Sequence, residues 1–240
     1  MLSKSQIKLI TSLKQKKYRQ QHGFFVVEGI KTIKELLHSD FKLHLLFTTE
    51  SFNINAKDEV LITESDLKRI SFLKTPNKAL AIFKIPEFKA INQSGLIVAL
   101  DAIRDPGNLG TIIRLCDWFG INELVCSKET VDCYNPKVIQ ATMGSITRVN
   151  ISYVDLVSFL KESNLLVFGA FMDGENVYKT TLPEKGILVM GNEANGVSNE
   201  VEKFVTEKIS IPRFGDVQAT ESLNVATATA ILLSEFCRRF

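Results

Sequence analysis

The chain has 240 residues, 45% hydrophobic and 23% charged, with 29 lysines and arginines against 27 aspartates and glutamates. That is ordinary globular composition, enough for one large domain or two small ones. The basic opening MLSKSQIKLITSLKQKKYRQQ lacks the apolar core of a signal peptide, and no apolar run approaches the roughly 18 residues of a membrane span, so a soluble cytoplasmic protein with no membrane partner is expected.

The opening reads as a helix over 3–20, followed by strand FFVV (24–27), helix 29–38, strands LHLLF (43–47) and EVLI (59–62), helix 64–73 and strand ALAIFKI (79–85). This is a small α/β domain. Residues 1–90 carry 16 lysines and arginines against 9 acids, whereas 91–240 carry 13 against 18. A basic half joined to an acidic half suggests a polyanion-binding module attached to something else; a solvated basic surface is the plainer alternative. Lys4, Lys8, Lys14, Lys16, Lys17 and Arg19 crowd the first 23 residues without an acid. Such cations bind phosphates without reading bases.

Pro86 and Gly95 flank a polar stretch, KIPEFKAINQSG (84–95), which reads as the boundary. Beyond it the apolar runs LIVAL (96–100), ELVC (123–126), LLVFGAF (165–171) and ILVM (187–190) alternate with helical patterns. Continuous apolar strands between helices predict a parallel sheet covered on both faces. In such sheets ligands sit beyond the carboxyl ends of the strands.

Three segments at such ends could carry chemistry. After LIVAL comes DAIRDPGNLGTIIRLCDWFG (101–120), where Pro106 and Gly107 suggest a turn and Asn108 a helix cap. Ile112, Leu115, Cys116 and Phe119 form the expected buried stripe. Arg114 lies off it, near Thr111 and Trp118, and reads by geometry alone as a surface arginine; a tryptophan there hints at a covered face. After ILVM comes GNEANGVSNEV (191–201), where Gly191 permits close backbone approach to a ligand and Glu193 could orient a cation or hydroxyl, or cap the helix starting near Ser198. Last comes ISIPRFGDVQATESLNVATATAILLSEFCRRF (209–240), in which Ser222 can cap a long helix rich in Ala and Thr; capping alone would account for Ser222 and Asn224.

Cys116, Cys126, Cys133 and Cys237 include no C-x-x-C pair and lie far from His22, His38 and His44, so no metal site is expected. There is no dinucleotide fingerprint, phosphate loop or H-E-x-x-H, and no G-x-S-x-G elbow.

Together, DPGNLGTIIR, VMGNEANGVS and IPRFG…ESLNVATATAILLSE resemble, in order and spacing, the three motifs of the SpoU (TrmH-like) family of RNA 2′-O-ribose methyltransferases. KKYRQQHGFFVVEG resembles the start of the ribosomal-protein-like substrate-binding domain that many members carry, and MGSITRV (143–149) fits between the first two motifs. The resemblance implies a substrate-binding domain over 1–90 and a methyltransferase domain over 91–240. The latter would be a parallel sheet with a carboxyl-terminal trefoil knot, a rare exception to chain topology. It implies a homodimer, S-adenosylmethionine as cofactor and ribosomal RNA as partner. Asn108, Arg114, Glu193, Ser222 and Asn224 would be catalytic; Gly191, Ile211 and Leu223 would contact the cofactor, largely through backbone groups. Trp118 and the last helix would lie near the dimer interface. The sequence departs from the pattern in Ala194, where glycine is usual, in Arg213, where methionine is common, and in the longer loop DVQAT.

The family's proposals make the arginine, here Arg114, the base that activates the ribose hydroxyl. An arginine pKa above about 12 argues instead for phosphate binding and stabilisation of a forming alkoxide. The alternatives are a tRNA methyltransferase of the same family, or a non-catalytic RNA-binding or ribosome-assembly protein; the full set of site residues weighs against a decayed site.

Overall fold

Ser3 opens the first helix, α1 (Lys4–Ser12): its hydroxyl accepts from the Gln6 N–H while the Gln6 side chain accepts from the Ser3 N–H, a reciprocal cap that satisfies two otherwise orphaned donors. The computed structural model describes residues 2–54, 57–216 and 222–238. The helix expected over 3–20 is two, α1 and α2 (Lys16–His22). At the break the Arg19 guanidinium takes over two backbone carbonyls, donating to Leu13 O and Lys14 O at 2.9 Å each. Gly23, at φ +67°, ends α2 in the left-handed conformation that glycine adopts without penalty.

The chain divides into two units, residues 1–88 with 132–147, and 89–131 with 148–240. In the first, strands β1 (Phe24–Glu28), β2 (Leu43–Thr48), β3 (Glu59–Leu61) and β4 (Ala79–Lys84) form a sheet of order β1-β4-β2-β3. β4 is antiparallel to both its neighbours and β3 is parallel to β2. Helices α3 (Ile30–Leu37) and α4 (Glu64–Ile70) complete the α/β unit. The runs FFVV and ALAIF are buried almost throughout, with Val26, Phe47, Leu80 and Ile82 sharing a core with Ile10, Leu13 and Ile70. The second stretch of sequence contributes residues 132–147 here. Helix α6 (Pro136–Thr142) packs on β1, and the Tyr134 ring lies 4.7 Å from that of Phe25.

The second unit is the expected parallel sheet. Strands β5 (Leu96–Leu100), β6 (Glu123–Ser127), β7 (Asn150–Val154), β8 (Val167–Asn176), β9 (Gly186–Met190) and β10 (Glu207–Ser210) run in the order β10-β8-β9-β5-β6-β7, every neighbouring pair parallel. The two edge strands, β7 and β10, went unforeseen. An edge strand needs only partial burial, and NISYV and EKIS each bury one residue fully, so neither makes an apolar run.

Helix α5 (Pro106–Trp118) follows β5, and its N-cap is Asp105, not Asn108: the Asp105 carboxylate accepts from the Asn108 N–H at 2.8 Å and Pro106 occupies the first helical position. Pro106 and Gly107 thus lie in the helix rather than forming a separate turn. Its buried stripe is centred on Leu109, Ile112, Ile113 and Cys116, with Leu115 and Phe119 half-buried. Helices α7 (Leu156–Glu162) and α8 (Asn199–Glu202) flank the sheet, and α9 (Val225–Cys237) packs against α5. The cap of α9 is Asn224, whose Oδ1 accepts from the N–H groups of Ala226 and Thr227; Ser222 lies two residues too early to cap it.

Candidate active site

A cavity of about 820 Å³ opens at the carboxyl ends of β8, β9 and β10, where a parallel sheet places its ligand. Ala170, Phe171 and Met172 of β8 form one wall, Met190 to Ala194 and Gly196 a second, and Ile209, Ile211 to Arg213 and Gly215 a third. Ser222, Leu223 and the α9 residues Val225, Ala228 and Leu232 close it. Gly191, Glu193, Ile211, Ser222 and Leu223, all read from the sequence as site residues, therefore face one space.

The loop after β9 is held by its own backbone. Asn192 and Gly196 exchange two N–H to carbonyl bonds at 2.8 Å each. The Asn192 side chain accepts from the Ala194 and Asn195 N–H groups and donates to Ala102 O at 2.7 Å. Asp101, only 6% exposed, accepts from the Ser198 N–H at 2.7 Å through its carboxylate; Glu193 therefore does not cap α8. Gly196 has φ +68°, whereas Ala194 is not among the positive-φ residues, so the loop does not require glycine at 194. A Cβ on Gly191 would lie 2.2 Å from Gly196 C and 2.3 Å from Val197 N: the bare α-carbon serves the loop's own closure as well as the cavity. Gly191→Val is accordingly expected to cost about 1–3 kcal/mol of stability, read in a thermal melt; a parental melting curve would show that the loop can yield.

Three segments distant in sequence meet through side chains. Asn224 Nδ2 donates to Asn108 Oδ1 at 2.9 Å, and Asn108 Nδ2 donates to Glu193 Oε1 at 2.7 Å. Asn224 is itself fixed by capping α9, and Asn108 by the first turn of α5, so the Glu193 carboxylate is oriented from two rigid helix ends. Its Oε2 makes only a 3.5 Å contact with Asn192 Nδ2 and can accept from a ligand. Asn192 and Asp101, not singled out from the sequence, buttress this arrangement; the available signal was a polar residue one or two positions after an apolar run.

Arg114 does not line the cavity. It is exposed and makes no hydrogen bond or ion pair among the described residues. It follows Asn108 by six residues, about 240° round the helix and about 9 Å along it, so the two point to different sides of α5. On Arg114's side stands Trp118, 84% exposed. Burial pushes the Cys116 thiol up to about 12, which makes it a packing residue rather than a nucleophile. Among the described residues no group of three or more His, Cys, Asp or Glu could hold a metal ion, and no helix is long and apolar enough to cross a membrane.

The sequence matches the model of the SpoU rRNA Methylase family over residues 95–234 and that of the MRM3-like substrate binding domain over 4–81. It is 30% identical over 230 residues to the 23S rRNA (guanosine(2553)-2′-O)-methyltransferase RlmP of Bacillus subtilis, covering 91% of this chain and 90% of that one. With the 23S rRNA (guanosine-2′-O-)-methyltransferase RlmB of Neisseria meningitidis it shares 31% over 156 residues, 62% of this chain and 60% of the other. Among solved structures it is similar to a TrmH-family protein from Porphyromonas gingivalis, with a TM-score of 0.92 and 39% identity over 100% of both chains. It is also similar to an AdoMet-bound rRNA methyltransferase from Sinorhizobium meliloti, with a TM-score of 0.87 and 28% identity over 100% and 97% of the chains.

Proposed function

Since the chain belongs to the SpoU rRNA methylase family, we propose that it transfers a methyl group from S-adenosylmethionine to a ribose 2′-hydroxyl of ribosomal RNA. The observation that carries this reading is the bonded series Asn224–Asn108–Glu193, which joins three motifs beside one cavity. The cavity fits the cofactor: about 820 Å³ holds a nucleoside joined to an amino acid. Apolar Phe171, Met190 and Leu232 suit the purine, while Gly191, Ile211 and Leu223 offer main-chain groups. When bound, S-adenosylmethionine supplies a methyl group already activated on a sulfonium.

What remains for the protein is to place the ribose oxygen and manage its proton and charge, and alignment alone can contribute up to about 7–11 kcal/mol. Asn108 and Asn224 hold Glu193, whose carboxylate can accept a hydrogen bond from the ribose. Ser222 adds a hydroxyl on the cavity wall. Arg114 is assigned to the phosphate beside the reacting ribose and to the charge growing on its oxygen. It stands off its own chain's cavity, so it serves the cavity of a second copy. The homodimer this requires is supported by exposed Trp118 on the same face of α5. The carboxyl-terminal segment is proposed to thread as a trefoil knot; the loops after β9 and β10 and the start of α9 all lining one cavity fit that reading. Four free thiols fit work in the reducing cytoplasm.

Residues 1–90, nearly all of which fall in the first unit, are the proposed RNA-binding part, and the methyltransferase site is carried within residues 91–240. Lys4, Lys8, Lys14, Lys16 and Lys17 are exposed, but Arg19 is 2% exposed and bound to Asp132, so Arg19 leaves the phosphate-binding set. Replacing Lys4, Lys8 and Lys14 with glutamine should weaken RNA binding and flatten the log–log salt slope by about 1 per lost phosphate contact, with cofactor affinity unchanged in calorimetry. An unchanged slope would remove these lysines from the interface.

The deciding experiment is transfer of labelled methyl groups to ribosomal RNA from a strain lacking the gene, followed by mapping of the 2′-O-methyl position. Incorporation at one ribose is expected. Incorporation only into tRNA would redirect the substrate, and cofactor binding without transfer to any RNA would favour a non-catalytic RNA-binding role.

A further inference from the structure

The last residue of β10 is tied to the end of β8 and the turn that follows it. Val177 N–H donates to Ser210 O at 2.9 Å and Ser210 Oγ to Gly174 O at 2.7 Å. A Cβ on Gly174 would lie 2.6 Å from Ile209 C, so glycine lets the strand ends approach this closely. The turn then presents Tyr178, its N–H bonded to Asn176 Oδ1 at 3.0 Å. Its ring lies 6.3 Å from that of Phe214, at 35°. Phe214 is 82% exposed and Tyr178 39%; Met172, on the cavity wall, is 59% exposed. Phe214 stands between Arg213 and Gly215, both of which line the cavity.

Isolated exposed apolar residues are ordinary. A phenylalanine backed by a second ring, at the mouth of a catalytic cavity and next to an arginine, is a patch that calls for an occupant. Resting on the reading above as an RNA methyltransferase, we propose that Phe214, backed by Tyr178, is the stacking platform for an unpaired RNA base and so helps select which nucleotide presents its ribose to the cavity. The occupant follows from the reaction and the charge. An unpaired, splayed nucleotide can carry its ribose into a cavity, and its base, having lost its stacking neighbours, then needs a flat partner. Aromatic side chains supply that partner for any base, and Arg213 on the adjoining cavity wall adds positive charge beside an anionic strand. This gives a role to Phe214, the neighbour of Arg213, which is one of the positions at which the sequence departs from the pattern it resembles.

The test uses the full chain with Phe214→Ala, Phe214→Leu and Phe214→Trp. For ribosomal RNA from a strain lacking the gene, kcat/KM should fall about tenfold or more in the alanine and leucine variants and recover with tryptophan. Calorimetric affinity for S-adenosylmethionine and the sedimentation-derived oligomeric state should stay parental. Single-stranded poly(A) should quench the added emission of Phe214→Trp beyond the Trp118 baseline of the parent. Unchanged kcat/KM in the alanine and leucine variants, or no added quenching, overturns the platform. A weakened self-association in Phe214→Ala also overturns it, assigning the patch to a second copy. If the parent itself methylates no ribosomal RNA, the enzymatic reading falls, and the quenching alone decides whether Phe214 stacks on RNA.

Discussion

Mixing Arg114→Ala protein with Glu193→Ala protein is expected to restore methyl transfer that neither variant carries alone. Each substitution removes a group proposed above to act at the reacting ribose, and such losses typically lower turnover about 10²- to 10³-fold. The restoration follows from where the two residues stand. Glu193 lines the cavity of its own chain and is held there by Asn108, whereas Arg114 projects from the other side of α5, outside that cavity. In a mixed dimer, the Arg114→Ala chain contributes an intact cavity and the Glu193→Ala chain an intact arginine, so one of the two sites is complete. Random exchange makes about half of the dimers mixed, which gives about a quarter of parental turnover per site. Were Arg114 to act on its own chain's cavity, every site in the mixture would carry at least one defect and turnover would stay at the level of the single variants. Cofactor affinity should remain parental in Arg114→Ala, since the residue lines no part of its own chain's cavity and is assigned to the RNA rather than to the cofactor. Arg114→Lys distinguishes two roles for the residue: near-normal turnover would contradict a bidentate hold on phosphate, which a lysine cannot reproduce.

The cavity residues were legible because the physics that places them is local. Gly191, Glu193, Ile211, Ser222 and Leu223 all lie a few residues beyond an apolar run or before an Ala-rich helix, and the ends of parallel strands are where ligands bind. The caps were misread for an equally local reason. D-P-G-N and S-L-N each offer two good cap formers within four residues, and the hydrogen bonds chose Asp105 and Asn224. For α5 the sequence held the answer: proline favours the first helical position, which makes the preceding aspartate the cap. For α9 nothing comparable separates Ser222 from Asn224. Arg114's absence from the cavity lining has a different origin. Helical periodicity put it off the buried stripe, and the motif resemblance made it catalytic. Each statement holds for one chain, and the proposed homodimer would reconcile them. Arg19 was beyond local reading altogether, since its partner Asp132 lies 113 residues away.

That pair carries the largest stability effect expected in the first unit. Arg19, 2% exposed, donates from Nε and Nη2 to Asp132 Oδ2 and from Nη1 to two carbonyls at the break between α1 and α2. Asp132 Oδ1 meanwhile accepts from the Tyr134 N–H at 3.0 Å. Removing Asp132 strands the buried guanidinium, and removing Arg19 strands a half-buried carboxylate and two backbone carbonyls; breaking such a pair typically costs about 3–5 kcal/mol. Arg19→Ala and Asp132→Ala should each show that loss in urea unfolding. The double variant should lose less than their sum, because the second change removes the group the first left unpaired. Arg19→Lys should recover little, since one ammonium cannot span a carboxylate and two carbonyls at once. Additive losses would mean that the two residues act independently. The same geometry governs any attempt to separate RNA binding from cofactor binding by cutting the chain at residue 90. The remaining piece would keep residues 132–147 but lose the β1 strand on which α6 packs, exposing Val138 and Ile139, and would leave Asp132 without its arginine. Aggregation of that piece is therefore expected whatever the catalytic unit can do, and the exposed lysines of α1 and the segment after it are the sound place to test the division of labour.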